Sequence, residues 1–334
     1  MKYLYCSDLK IKKDLILAVT DAFLTEGYNT RSISAKVCGI SPTTAGKVAN
    51  SLISNGIFEE RTILAPIGHK RSCRHLFPSK ELSVIVIDLT SVRFSLTVVD
   101  SNLKAIYSKD YEYDPLLDLD DNLTVFLSRA GLGMPYKAKG PTQICVLLSE
   151  RPEGLFLQDF LPRFSDKPLI DRIIAETYGK IPLLYISEKD AFGAAIKYGI
   201  NGTRNCSVAY IRENEGYKCF SYCNGISKIC YLDNLMIENT SLTVANSLPH
   251  SKDEHEKIIS RLINFADVAF SPNLVLIGEQ SQDIDEYSIN QIEKNLILSG
   301  VPRPIIKLCS KESDIRVLGA ARATVRSLIE IIIK

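Results

Sequence analysis

At 334 residues the chain exceeds one ordinary hydrophobic core, since single cores stop growing near ~250–300 residues. A hydrophobic content of 46% and a charged content of 24% are those of a globular protein rather than a disordered or fibrous one. The formal charge of +1 hides a division: residues 1–80 hold 12 Lys+Arg against 6 Asp+Glu, and the remainder holds 28 against 33. A polyanion would therefore meet the N-terminal quarter, not the acidic body.

Lys10, Lys12, Lys13 and Asp14 interrupt any apolar run after Met1, so no targeting leader is expected. The apolar stretch from Leu328 to Ile333 falls far short of the ~20 residues that span a bilayer. The nine cysteines scattered from Cys6 to Cys309 are expected to be reduced and mostly buried, as in a cytoplasmic protein.

Leu15, Ile16, Val19, Ala22 and Phe23 recur at helical spacing, which predicts an amphipathic helix from about Leu9 to Glu26, ended by Gly27. A short helix follows near Ser34–Cys38, with Ser32 as a candidate N-cap. Gly39 ends it with φ > 0 and turns the chain sharply. Ser41 then caps a new helix that has Pro42 at its first position, where no N–H is needed. Its inward stripe is Ala45, Val48, Ala49, Leu52 and Ile53, and its outward stripe is Thr43, Lys47, Asn50, Ser51 and Ser54. A small, polar, singly basic face suits a groove, and Thr43 and Thr44 stand where a helix N-terminus favours phosphate. After Gly56, residues Ile57 to Leu64 alternate like a strand, and His69, Lys70, Arg71, Arg74 and His75 crowd the turn and the return strand. That order predicts a winged helix-turn-helix over residues 1–80. The expected DNA-contacting residues are Ser41, Thr43, Thr44, Lys47, Asn50, Ser51, His69, Lys70, Arg71 and Arg74.

Beyond Lys80 the pattern changes. Leu82–Asp88 reads as a buried strand with a hairpin partner at Arg93–Asp100, and further strands are expected at Ile144–Leu148, Leu183–Ile186, Cys206–Ile211 and Leu274–Ile277. Helices are expected at Leu117–Arg129, Pro168–Tyr178, Asp190–Tyr198, His255–Ala269, Asp285–Leu298 and Asp314–Ile333. Strands alternating with helices predict an α/β body.

Several short segments carry a resemblance. Asp88-Leu89-Thr90-Ser91 closes the first strand of the body, Leu161-Pro162-Arg163-Phe164 leads to Ile181-Pro182-Leu183-Leu184, and Glu188-Lys189-Asp190-Ala191-Phe192 follows. Leu274-Val275-Leu276-Ile277-Gly278 and Leu318-Gly319-Ala320-Ala321 come later. In this order, behind a winged helix-turn-helix, they resemble the ROK family (repressors, open reading frames and sugar kinases). The resemblance implies a two-lobed actin-like or hexokinase-like ATPase fold over residues 81–334. Its lobes would be about 81–190 with the C-terminal helix, and 191–312. It also sets Asp88 in a phosphate loop and Asp190 on the catalytic base.

The departures from that family are as informative. Its glycine-rich second phosphate loop would bring backbone N–H groups to phosphate. Here the corresponding run is Arg212-Glu213-Asn214-Glu215-Gly216-Tyr217, whose carboxylates would repel a nucleotide. The family's structural zinc motif is missing, because Cys219, Cys223 and Cys230 have the wrong spacing and the next histidine is His250. Lys189 replaces a sugar-holding Asn. Asp88 and Asp190 are therefore taken as vestigial, and Ser187-x-x-Asp190 as a helix N-cap with an acid in the first turn. Neither metal nor cofactor is expected.

Three readings remain open. The first is a DNA-binding regulator, of repressor type, whose kinase-like body dimerises and senses a sugar-like effector, with double-stranded DNA as partner and no membrane contact. The second is an active ATP-dependent sugar kinase with an appended DNA-binding domain. The third is a protein-interaction module in which both parts have lost their ligands.

Overall fold

The computed structural model describes residues 11–25, 29–63, 73–132, 143–149, 161–213, 217–231, 252–278, 286–296, 304–309 and 314–333. The first helix, α1, runs Lys13–Leu24 and buries Ile16, Val19, Ala22 and Phe23. α2 spans Arg31–Val37 and is capped by Thr30, whose hydroxyl accepts from the Ile33 N–H at 3.2 Å. Thr30, not Ser32, therefore starts the helix. Threonine fits because an extended backbone just ahead of the first turn leaves its oxygen facing the orphan N–H groups.

Gly39 takes φ +64. The Ile40 N–H donates to Ala35 O at 2.9 Å and the Gly39 N–H to Lys36 O at 3.3 Å, which closes the orphan carbonyls of α2 in a Schellman turn. α3, Pro42–Ser54, starts from Ser41, whose Oγ accepts from the Thr44 N–H at 3.1 Å. It buries Ala45, Val48, Ala49 and Leu52, while Thr43, Lys47, Asn50 and Ser54 face outward. The antiparallel strands β1 (Phe58–Ile63) and β2 (Cys73–Pro78) complete this first unit.

Two five-stranded sheets follow, built alike. The first holds β3 (Ser83–Asp88), β4 (Arg93–Asp100) and β5 (Ala105–Glu112) as an antiparallel meander. After α4 (Leu119–Gly131), β6 (Gln143–Leu148) adds parallel to β3. After α5 (Lys167–Tyr178), β7 (Leu183–Ser187) adds parallel to β6. α6 (Glu188–Lys197) leads into the second sheet. There β8 (Val208–Glu213), β9 (Tyr217–Cys223) and β10 (Ile226–Tyr231) repeat the meander. α7 (Lys252–Phe270), β11 (Leu274–Gly278), α8 (Glu286–Asn295) and β12 (Ile305–Cys309) repeat the parallel half. α9, Ile315–Ile332, comes last. Both sheets thus have the meander's first strand at their centre, in orders β5-β4-β3-β6-β7 and β10-β9-β8-β11-β12.

The pleat sorts the core into layers. In β3, Ile85 and Ile87 pack with Phe94, Phe126 and Ile170 under α4 and α5, while Val84 and Val86 face α6 and α9. In β8, Ala209 and Ile211 pack against Ile259 and Ile263 of α7, and Val208 and Tyr210 join the central layer. α6 and α9 therefore lie between the two sheets. Their contact is unusually tight, because a Cβ on Gly319 would stand 2.0 Å from the Ala191 carbonyl oxygen and 2.9 Å from Ala195 Cβ. Only a glycine lets these two backbones meet.

The central apolar layer also runs without a break into Ile16, Val19, Phe23, Val48 and Leu52 of the first unit. A polar clasp accompanies it: Asp21 of α1 accepts from Arg326 Nε of α9 at 2.7 Å, from the Tyr198 hydroxyl at 3.1 Å and from Lys197 Nζ at 3.2 Å.

Candidate functional site

Two places concentrate polar chemistry: the outer face of α3 and the buried space between the two sheets. On α3, Thr43, Lys47 and Asn50 are exposed, and Thr44 and Ser51 are half-buried. The Ser41 hydroxyl is engaged locally, on the Thr44 N–H and on Thr44 Oγ1 at 3.0 Å. Asn50 has a partner from α2, because Arg31 Nη2 donates to its Oδ1 at 2.9 Å. The same guanidinium pairs with Glu60 of β1 at 2.8 Å, and the other Glu60 oxygen takes Arg74 of β2 at 3.5 Å. Arg74 otherwise projects outward, with 74% of its side chain exposed. His75, grouped in sequence with the basic turn, instead bonds Asn29 through Nδ1 at 2.9 Å. His69, Lys70 and Arg71 lie outside the described residues.

The second place is a buried cluster of six ionic side chains, drawn from the C-terminal ends of the central strands, the start of β9 and the first turns of α6 and α9. Arg316 of α9 is at its hub and is fully buried. Its Nη2 meets Asp314 at 2.7 Å and Asp88 at 3.0 Å, and its Nη1 meets Glu188 at 3.3 Å and Thr90 Oγ1 at 3.2 Å. Lys218 reaches both Glu188 oxygens at 3.2 Å and the Thr90 carbonyl at 3.3 Å. Arg212 lies 3.8 Å from Asp314 and 4.0 Å from Asp88. Three cations thus face three carboxylates, the condition on which charges are tolerated in a low-dielectric interior.

The protonation states follow from this packing. Burial alone would lift the Asp88 carboxyl, but Arg316 first, then Arg212 and two hydrogen bonds from Thr90, bring it down to about 2. Asp314 is lowered against its own burial by Arg316 and Arg212. Burial would lower Arg316, yet its three carboxylates hold it well above its ordinary range. Lys218 goes the other way: burial lowers it, and Glu188 compensates only in part.

The sequence-predicted carboxylates part company here. Asp88 is in the cluster, whereas Asp190 is exposed in the first turn of α6. There its backbone N–H donates to the Ser187 cap at 3.1 Å, the local geometry expected of Ser187-x-x-Asp190. The buried acid of that segment is Glu188. Of the loop after β8, residues 214–216 lie outside the described residues, and Arg212 turns inward to the carboxylates. Cys219 and Cys230 are cross-strand neighbours, and Cys223 lies exposed at the end of β9. Among the described residues no group of three or more His, Cys, Asp or Glu side chains is placed to hold a metal ion. No helix among them is long and apolar enough to cross a membrane.

Sequence reasoning missed Glu188, Lys218, Asp314, Arg316 and the part played by Arg31. One signal was present. Arg316 interrupts Ile315-Arg316-Val317-Leu318-Gly319-Ala320-Ala321, an apolar stretch in which an arginine must be buried and paired.

No protein-family model matches the chain, and no curated protein does. Among solved structures, the chain is similar to a ROK family transcriptional regulator, a homologue of the E. coli Mlc protein, with a TM-score of 0.61 and 14% identity. That match covers 96% of this chain and 100% of the other. It is also similar to the inorganic polyphosphate/ATP-glucomannokinase of Arthrobacter sp. strain KM, with a TM-score of 0.52, 17% identity and coverage of 74% and 99%. A ROK family glucokinase from Streptomyces griseus, in complex with glucose and AMPPNP, matches with a TM-score of 0.51, 10% identity and coverage of 72% and 99%. The two meander-plus-parallel sheets around α6 and α9 are thus a ROK-type, actin-like or hexokinase-like α/β fold.

Proposed function

We propose that this protein is a DNA-binding transcriptional regulator, of repressor type, whose kinase-like body does not transfer phosphate. In this reading residues 1–80 are a winged helix-turn-helix with α3 as the recognition helix, and residues 81–334 form the body. The observation that carries it is the outward face of α3, where Thr43, Lys47 and Asn50 stand exposed on a helix capped by Ser41 with Pro42 at its first position. Coverage supports it. The kinase matches span 74% and 72% of the chain, whereas the regulator spans 96%. The Ser41, Thr43, Thr44, Lys47, Asn50, Ser51 and Arg74 positions, with His69, Lys70 and Arg71, form the proposed contact set. Phosphate contacts fix the register and base-edge contacts specify the sequence.

The buried cluster supports the non-catalytic part. Asp88, which the family resemblance places in a phosphate loop, is held by Arg316, and the space around it is filled by side chains of this chain. Such a body would serve to pair two copies, so that two recognition helices address half-sites about one DNA turn, ~34 Å, apart. A sugar-like effector would act only by binding one arrangement of the body better than another. A DNA partner implies a cytoplasmic protein.

Gel mobility shift of the full chain on the promoter region beside its gene, over a range of salt, tests the reading. Specific retardation that weakens steeply with salt is expected. Absence of retardation at low salt refutes it. A second reading, an ATP-dependent sugar kinase, draws on the exposed Asp190 carboxylate at the start of α6. Calorimetry with ATP–magnesium and a panel of hexoses decides that case, and clear nucleotide binding would revive it.

A further inference from the structure

Arg31 has no part in the α3 face as read from sequence, yet it lies across it. Its Nη2 donates to Asn50 Oδ1 at 2.9 Å, and its Nη1 is the atom that a Cβ on Gly46, one turn earlier on α3, would approach to 3.9 Å. Glu60 fixes the guanidinium from the hairpin side at 2.8 Å, and itself keeps only 21% of its side chain exposed. A guanidinium can only donate. The Asn50 atom that faces it must therefore be the carbonyl oxygen, and the two amide N–H donors of this exposed side chain point away. Adenine readout by Asn needs oxygen and nitrogen side by side, one accepting from N6 and the other donating to N7. Here the oxygen is held by a charge-assisted bond, the stronger kind. What Asn50 presents outward is a pair of donors, which match the two acceptors, O6 and N7, on the major-groove edge of guanine.

We infer that Arg31 is a positioning residue for DNA readout: braced by Glu60, it fixes the Asn50 amide as a donor and directs α3 to guanine at that position of the half-site. The inference rests on the DNA-binding reading above. Both contacts are made by Nη2, so the bond to Glu60 holds the same nitrogen that orients Asn50.

In-vitro selection from random duplexes with the full chain tests this, with the position read by Asn50 identified as the one that loses its preference in Asn50→Ala. The wild type should select guanine there. The double variant Arg31→Gln/Glu60→Gln leaves the net charge unchanged and frees the amide to turn. Its guanine-over-adenine preference should fall by about tenfold, while the melting temperature stays that of the wild type. In Asn50→Asp the carboxylate still accepts from Arg31 but offers no donor, so the guanine preference should vanish and a cytosine, with its N4 donor, should be favoured instead. Adenine selected by the wild type overturns the inference, and so does an unchanged preference in the double variant. A salt slope shallower by about one in Arg31→Gln alone marks a phosphate anchor and overturns it as well. A wild type that selects no sequence removes the DNA-binding reading itself, and this inference with it.

Discussion

Replacing Arg316 by Met keeps an unbranched apolar stem and removes the guanidinium that is the hub of the cluster. In the wild type the guanidinium touches three carboxylates, at 2.7, 3.0 and 3.3 Å, from a fully buried position. Afterwards Glu188 keeps Lys218 at 3.2 Å, while Asp88 and Asp314 share Arg212 at 4.0 and 3.8 Å. Three negative charges then face two positive ones, so one buried carboxylate lacks a partner. Breaking a buried pair in this way costs about 3–5 kcal/mol, a large fraction of the ~5–15 kcal/mol that holds a typical native state. Urea denaturation at pH 7 should therefore shift to a midpoint lower by that amount of free energy.

The pH dependence sharpens the test. The folded-state value of Asp88, about 2, lies below its ordinary 3.8. Its contribution, about 2 kcal/mol, is thus fully present above pH ~4 and is lost as pH falls through 2. In Arg316→Met the excess carboxylate has an elevated value, takes up a proton readily and relieves the penalty as the solution is acidified. The wild type should lose stability between pH 4 and 2 while the variant loses less, so the two curves converge. A variant within about 1 kcal/mol of wild type at pH 7, or a penalty that stays constant down to pH ~3, would refute the assignment of Arg316 as the hub of the charge balance.

The other expectations follow from single contacts. Gly319→Ala places a methyl 2.0 Å from the Ala191 carbonyl oxygen; since that contact is with backbone, α6 and α9 must separate. A loss of at least ~3 kcal/mol, at the upper end of overpacking effects, should appear as a sharply lower melting temperature or insoluble expression. Asp21→Asn weakens the clasp between α1 and α9. Because Asp21 and Arg326 keep 26% and 18% of their side chains exposed, the expected loss is only ~1 kcal/mol, with easier proteolysis near α1 as the accompanying readout. Ser41→Ala removes the cap of α3 and should cost ~1 kcal/mol in thermal unfolding. Under the proposed DNA-binding function, Lys47→Ala should weaken binding to all DNA sequences alike and reduce the salt slope by about 1, as measured by fluorescence anisotropy.

How far the sequence could be read depended on whether a segment's own residues decided its structure. Ser41-Pro42 and Gly39 are local signals: a hydroxyl before a proline and a glycine that must take positive φ. The start of α3 and the turn before it were accordingly legible. The buried central strands β3, β6, β8 and β11 were found as apolar runs. β5, β9, β10 and β12 were not, because polar residues interrupt each of them; β12 runs Ile305-Ile306-Lys307-Leu308-Cys309 with Ile305 exposed, and the inner strand β9 runs Tyr217-Lys218-Cys219-Phe220-Ser221-Tyr222-Cys223. Thr30 escaped because Ser32 offered an equally good hydroxyl two residues on. The cluster was illegible for a different reason. Asp88, Glu188, Lys218 and Arg316 are separated by 30 to 228 positions, and nothing in local spacing says that four such residues converge. The same holds for Arg31 and Asn50, which meet only because Gly39 folds α2 back on α3.

What the cluster contributes is better understood as geometry than as stability. Buried ion pairs lose in desolvation much of what they gain in attraction, so a well-packed apolar core in the same place could be as stable. It would not, however, demand one arrangement: apolar surfaces slide with little penalty, whereas moving Arg316 away from Asp88, Asp314 or Glu188 leaves a charge unpaired in the interior. The cluster therefore fixes how the two sheets stand relative to each other. α9 carries that constraint outward, since Gly319 presses it onto α6 and Arg326, ten residues beyond Arg316, holds Asp21 of α1. A rise of 1.5 Å per residue puts about 15 Å between the two arginines. For a transferase that must open and close around a nucleotide, such a network across the space between the sheets is an obstacle. For the regulator proposed above, whose two recognition helices would need a set spacing, the same network is an asset, because spacing errors are then resisted by charges rather than by loosely specific apolar contact.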